Sequence, residues 1–149
     1  MISAAGLFSF CNSIAFLGWI ALAVALFVPR LRRATWIGVG LVLPALLAVA
    51  YIGALVVGLA GGATGGFDSI EAVRSLFADD HALTAGWIHY LAFDLFVGAW
   101  IARAGTGAGL SPLLILPCLV LTFLVGPAGL LLALVIGFST GRLGLEARA

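Results

Sequence analysis

Charge is what this sequence has least of. Only 9% of its 149 residues are Asp, Glu, Lys or Arg, and 64% are apolar, whereas an ordinary soluble domain is about 25% charged and about half apolar. Mean hydropathy is +1.27. The net charge is +1, with no basic run and no interleaving of aromatic and basic residues, so nucleic acid is excluded as a partner. Cysteine is scarce too. Cys11 and Cys118 lie in apolar runs, toward different ends of their segments, which argues against a disulfide and for two small buried hydrophobes. Gly-x-Ser-x-Gly, a Walker loop and a dinucleotide fingerprint are all missing, since GGATGG has neither a following Lys nor a preceding strand.

What is present is apolar length. Four segments, Leu7 to Val28, Trp36 to Leu59, Ala82 to Ala102 and Pro112 to Phe138, each reach the roughly 20 residues that cross a hydrocarbon core. They leave no room for a soluble domain. The expected fold is therefore an all-α membrane protein, a four-transmembrane-helix bundle forming one domain over residues 1–149. It is multi-pass in the lipid bilayer, the inner or plasma membrane in a bacterium. The first segment lacks a positive leader and ends in PRLRR rather than a small-residue cleavage site, so it is expected to stay as a span. Arg30, Arg32 and Arg33 put the following loop in the cytoplasm and both termini outside, although these three with Arg103 only narrowly outnumber Arg74, Arg142 and Arg148 on the other side. Trp19 and Trp36 read as interfacial anchors.

Turns at PRLRRAT and RAGTGAGLSP make antiparallel neighbours of spans one and two and of spans three and four. Between the pairs lies GGATGGFDSIEAVRSLFADDH. There Asp68 and Glu71 resemble a capping box, and Phe67, Ile70, Val73 and Phe77 fall at helical spacing. A short interfacial amphipathic helix over about 68–78 is expected, with Asp79 or Asp80 capping span three. Pro44, Pro117 and Pro127 interrupt spans two and four. Pro127, in FLVGPAGLL, has no N–H for the Phe123 carbonyl, so a kink is expected there, and Gly126 and Gly129 permit close approach of another helix or a ligand.

Span three carries the unusual chemistry. Asp94 stands near its middle, Tyr90 one turn before on the same face, and Trp87 a turn further. His89 is five residues from Asp94 and rotated by about 140°, so the two are not a ready-made pair. A charge at the bilayer centre costs about 3 kcal/mol or more. With no intramembrane Lys or Arg to neutralise it, Asp94 is expected to face the interior and to spend much of its time protonated. Asn12, Ser13, Tyr51, Thr122 and Glu71 are its potential partners. Plainer roles exist for each residue: Asp94 and Asn12 as interhelical glue, His89 as a partner for the carbonyl freed by Pro127, and Glu71 and His81 as capping or solvated groups at the water boundary. His81 and His89 are about 12 Å apart along a helix, which is not ligand spacing, so neither a metal nor any other cofactor is expected.

GGFDSIEAVRSLF, GWIHYLAFDLFVGAW, LILPCL and FLVGPAGLL, supported by Asn12, Trp19, Pro29 and Tyr51, resemble the family of small membrane proteins named after the abscisic-acid-deficient-four protein of plants, whose bacterial members are a domain of unknown function. The resemblance covers nearly the whole chain; Ala104 departs from it, where an acidic residue would follow Arg103. It implies a role in carotenoid metabolism, because the plant protein is required to form neoxanthin from violaxanthin by opening an epoxide and shifting a proton. The implied partner is a lipid-soluble isoprenoid or carotenoid, and the implied activity is of isomerase type. The candidate catalytic set is Asp94 as general acid and His89 as base, with Glu71 and His81, and Asn12, Tyr51, Trp87, Tyr90, Phe93 and Trp100 line the substrate. Two other readings stay open: a noncatalytic carotenoid- or lipid-binding membrane protein, and a small proton-coupled transporter, which with four spans would need a homo-oligomer to enclose a path. A partner membrane enzyme is compatible with the first two.

Overall fold

The computed structural model describes residues 3–141. Helix α1 spans Ala4–Phe27. A continuous helical run then passes through a 3-10 turn (Pro29–Leu31), α2 (Arg32–Ile37), a π turn (Gly38–Val42) and α3 (Leu43–Ala60). The short α4 (Ile70–Leu76), the long α5 (Asp80–Gly107) and α6 (Pro112–Thr140) follow, and no strand occurs among the described residues. By length and composition, α1, the run Pro29–Ala60, α5 and α6 are each long and apolar enough to cross a membrane. Arg142 and Arg148, used above to weigh orientation, lie outside the described residues.

Local chemistry explains the boundaries. Asp79 caps α5, its Oδ1 accepting the His81 and Ala82 amides at 2.9 Å each. In α4 the cap differs from the expected Asp68–Glu71 box. The Ser69 hydroxyl takes the Ala72 amide at 3.1 Å, because a side chain in extended backbone one residue before the helix already reaches that donor. Pro44 does not bend the interior of a helix either. It sits in the first turn of α3, and the Leu43 amide reaches back five residues to the Gly38 carbonyl, so the missing proline N–H is absorbed by a π turn.

α5 is the centre of the molecule, packed against α1, α3 and α6. Leu22 and Leu26 of α1, Leu47 of α3, Ile88 and Leu95 of α5 and Ile115 of α6 are fully buried. Trp87 beside Asn12 and Gly98 beside Trp19 show that α1 and α5 run parallel. Tyr51 beside His89 and Gly40 beside Ala99 show that α3 runs antiparallel to α5. Trp19 is only 8% exposed, and its indole lies against Gly98, where any Cβ would overlap the ring. Trp19 is thus a core residue and not an interfacial anchor; the notch left by a glycine on α5 accommodates it.

The largest departure from a set of four similar rods is in α6. Val125 has φ −148° and ψ 56° inside an otherwise helical stretch, and the chain there reverses rather than kinks. A Cβ on Gly129 would overlap the Thr122 hydroxyl and amide and touch the Cys118 carbonyl, although a straight helix would hold residues 122 and 129 about 10 Å apart. Farther from the turn, Leu114, Ile115 and Cys118 share one cavity lining with Ala133, Ile136 and Gly137. Residues 112–124 and 126–140 are therefore the two arms of a helical hairpin. Each arm is about 20 Å long, short of the roughly 30 Å of a hydrocarbon core. The expectation of a fourth straight helix is corrected: the second arm returns to the end of the molecule where α5 finishes, opposite Ser3.

Two outcomes follow from the hairpin. With the chain in a bilayer, a reporter fused after residue 141 is expected on the same side as a label at Arg33 and opposite one at Ser3; finding the fusion beside Ser3 would mean that α6 crosses in full. Gly129→Leu is expected to destabilise by about 1–3 kcal/mol through overpacking against the first arm, read as a lower Tm in detergent.

Candidate functional site

The tip of the hairpin closes on Asp94. Gly126 is buried, and a Cβ there would overlap the Asp94 carboxylate. Tyr90, one turn earlier on α5, faces both the carboxylate and the Gly126 backbone. Gly126 opens the second arm of α6, so the free amides and the positive dipole end of that arm start beside the acid. Pro127 is unproblematic in such a first turn, where its missing N–H would have no intrahelical partner. Asp94 Oδ2 is nevertheless buried without a hydrogen-bond partner, and no other buried side-chain oxygen or nitrogen among the described residues is left so. Buried polar atoms are nearly always paired, and of the side chains around this carboxyl the Tyr90 hydroxyl is the one oriented toward it.

Because α6 turns back at the level of Asp94, it does not cover the part of α5 that continues toward Trp87. Trp87 is 40% exposed, and its Nε1 donates to Asn12 Oδ1 of α1 at 3.2 Å. Its ring lies 5.5 Å from Phe8 and 5.3 Å from Tyr90. On the other side of the tip, Phe123 packs 6.0 Å from Phe16 and 5.7 Å from Trp19. Phe8, Trp87 and Tyr90 thus form a continuous row of rings on α1 and α5 that leads to Asp94 and the hairpin tip.

The structure gathers only part of the set expected from sequence. Asn12, Trp87, Tyr90 and Asp94 neighbour one another in that order. His89 is not among them: its exposed ring stacks on Phe93 at 4.5 Å and faces Tyr51 of α3 at 5.6 Å. Asp94 looks toward α6, and the five-residue offset turns His89 toward α3, so the two do not share a chamber. Tyr51, His89 and Phe93 form a separate aromatic seam. Glu71 is exposed on α4, and His81, in the first turn of α5, is about 20 Å along the helix from Asp94. Trp100 lies toward the opposite end, lining the cavity between α5 and α6. Gly126 and Phe8 neighbour these residues, and Phe16 and Phe123 pack on the other side of the tip; none of the four is in the expected set. The Gly-Pro pair of FLVGPAGLL was their one signal, and it reads equally as a kink. No group of three or more His, Cys, Asp or Glu side chains among the described residues could hold a metal ion.

An orphaned buried carboxylate costs stability rather than supplying it. Asp94→Asn is accordingly expected to hold or raise the thermal stability of the detergent-purified protein, by about 1 kcal/mol. A loss of more than about 1 kcal/mol would show instead that the carboxylate holds the tip in place.

No curated protein matches this chain, and no solved structure does. A family model described as ABA DEFICIENT 4-like matches residues 6–132. That match takes in α1 through α5, the first arm and tip of α6 and the start of its second arm, so the chain belongs to the ABA DEFICIENT 4-like family.

Proposed function

We propose that this chain is an integral membrane protein of carotenoid metabolism that takes the polar end of a xanthophyll or related isoprenoid into a recess beside Asp94, between the hairpin tip and the rings of α1 and α5. The observation that carries this reading is Asp94 Oδ2, buried and without a partner halfway along α5, beside a wall of aromatic rings. Membership of the family, with its link to neoxanthin formation, supplies the substrate class. An elongated apolar ligand lies along Phe8, Trp87 and Tyr90, and its oxygen-bearing end ring reaches the acid. Aromatic faces suit a polyene, and a single polar group at the end of the recess orients it.

In the isomerase form of the proposal, protonated Asp94 gives its proton to an epoxide oxygen. The C–O bond breaks, leaving a hydroxyl and a carbocation conjugated with the polyene. Loss of a proton from a neighbouring carbon then forms the new double bond, and the Asp94 carboxylate, now a base, takes that proton back. Acid and base are one residue acting in turn, with Tyr90 oriented on the carboxyl. His89 has no step in this scheme, since it lies on the α3 side.

The test is expression in cells that accumulate violaxanthin, with pigments resolved by chromatography. A new isomeric pigment is expected from the wild type, with a fall of about 100-fold or more in Asp94→Asn, a smaller fall in Tyr90→Phe and a near-normal level in His89→Ala. Violaxanthin that copurifies unchanged with the wild type but not with Asp94→Asn supports binding without catalysis. The absence of both conversion and copurification would overturn the proposal.

A further inference from the structure

At the end of the molecule away from Ser3, two cavities run into one another. The wider, of about 490 Å³, is lined by Arg32, Arg33, Trp36, Leu41 and Arg103. The narrower, of about 150 Å³, shares Trp36, Leu41 and Arg103 and extends between the π turn and α5 along Gly40, Phe96 and Ala99. One is a cationic mouth and the other an apolar groove. Arg32 is already engaged, its guanidinium donating to the Ala25 and Leu26 carbonyls at 3.2 and 2.9 Å, where it closes the end of α1. Arg33 and Arg103 are exposed and have no ion pair among the described residues. Every described carboxylate lies between residues 68 and 94, so no described residue supplies this mouth with a counter-charge.

The groove has a structural cause. The π turn at Gly38–Val42 sets the backbone off the regular helical path, and π turns recur where a helix wall is opened for a ligand. Gly40 lies so close to α5 that its Cβ would stand 3.1 Å from the Ala99 Cβ. Beyond that contact the wall is Leu41 and Phe96, both largely exposed, and Trp36 stands at the junction of head and tail.

The geometry points to a binding site for one anionic phospholipid, its phosphate between Arg33 and Arg103 and one acyl chain in the groove between the π turn and α5. Charge complementarity selects the headgroup: two unpaired guanidinium groups match a phosphate bidentately. Clustered arginines at the end of a span favour anionic over zwitterionic lipid. The apolar groove selects a tailed molecule over a free anion. This site is separate from the recess at Asp94 and does not depend on the carotenoid reading.

Native mass spectrometry of the delipidated protein in non-ionic detergent tests it. Dioleoyl-phosphatidylglycerol is expected to give a one-to-one adduct at a much lower concentration than dioleoyl-phosphatidylcholine. Arg33→Gln combined with Arg103→Gln should remove that preference, a change of about thirtyfold for two charges. Arg30→Gln, on the neighbouring turn but outside the cavity lining, is the control and should keep it. Equal retention of the two lipids by the wild type would overturn the proposal, as would an unchanged preference in a double variant that elutes like the wild type. Displacement of the adduct by glycerol 3-phosphate alone would overturn the tail's part and indicate a soluble phosphate ligand.

Discussion

The close approach of backbones at glycine is the constraint on which the rest of this structure depends. The hairpin in α6 requires residues 118–122 and 129 to be nearer than any side chain at 129 would permit. The tip then requires the same of residue 126 against Asp94. In apolar surroundings every N–H and C=O must find a partner nearby, so a chain cannot simply stop being helical in mid-course. Reversal at a single residue, Val125, keeps both arms helical and confines the groups without intrahelical partners to the turn. Pro127 fits at the start of the second arm because a helix start has a spare donor position to give up.

With that reversal in place, α5 carries different chemistry on its different sides. Toward α3 it offers His89 and Phe93 to Tyr51, an aromatic seam at the surface. Toward α1 and α6 it offers Trp87, Tyr90 and Asp94. Toward the far end it offers Gly98 to Trp19, a knob-and-notch contact that fixes the rotation of α5 about its axis. The Trp19 contact therefore bears on the site from a distance: the same rotation that seats an indole on Gly98 aims a carboxylate at Gly126 one turn away.

Much of this was legible in the residues. Apolar length located the four long helical stretches, and the caps and turns fell within a few residues of their observed places. Asp94, Tyr90, Trp87 and Asn12 could be put together because i, i+4 spacing sets one face of a helix and a lone intramembrane acid must look inward. Two things were out of reach. A Gly-Pro pair in an apolar run is equally compatible with a bend of 20° or a reversal, since both satisfy the same local backbone rules; contacts from distant residues decide, and those are not written in the local pattern. Trp19 misled for a related reason: an indole is at home at an interface and in a glycine notch, and only the partner helix distinguishes them. His89 was placed by rotation away from Asp94 at the outset, and the coupling of the two as acid and base rested on the chemistry of a reaction rather than on the geometry of the helix.

A hairpin that ends level with Asp94 covers α5 on one side of that level and not on the other. If the recess above the tip opens into one leaflet alone, any guest must be drawn from the lipids of that leaflet, and molecules lodged in the other must first flip across. For long rigid polyenes with a polar group at each end, such flipping is slow, so supply would depend on which monolayer the preceding step delivers into. In the proposed function, sidedness of this kind comes from chain reversal at one valine.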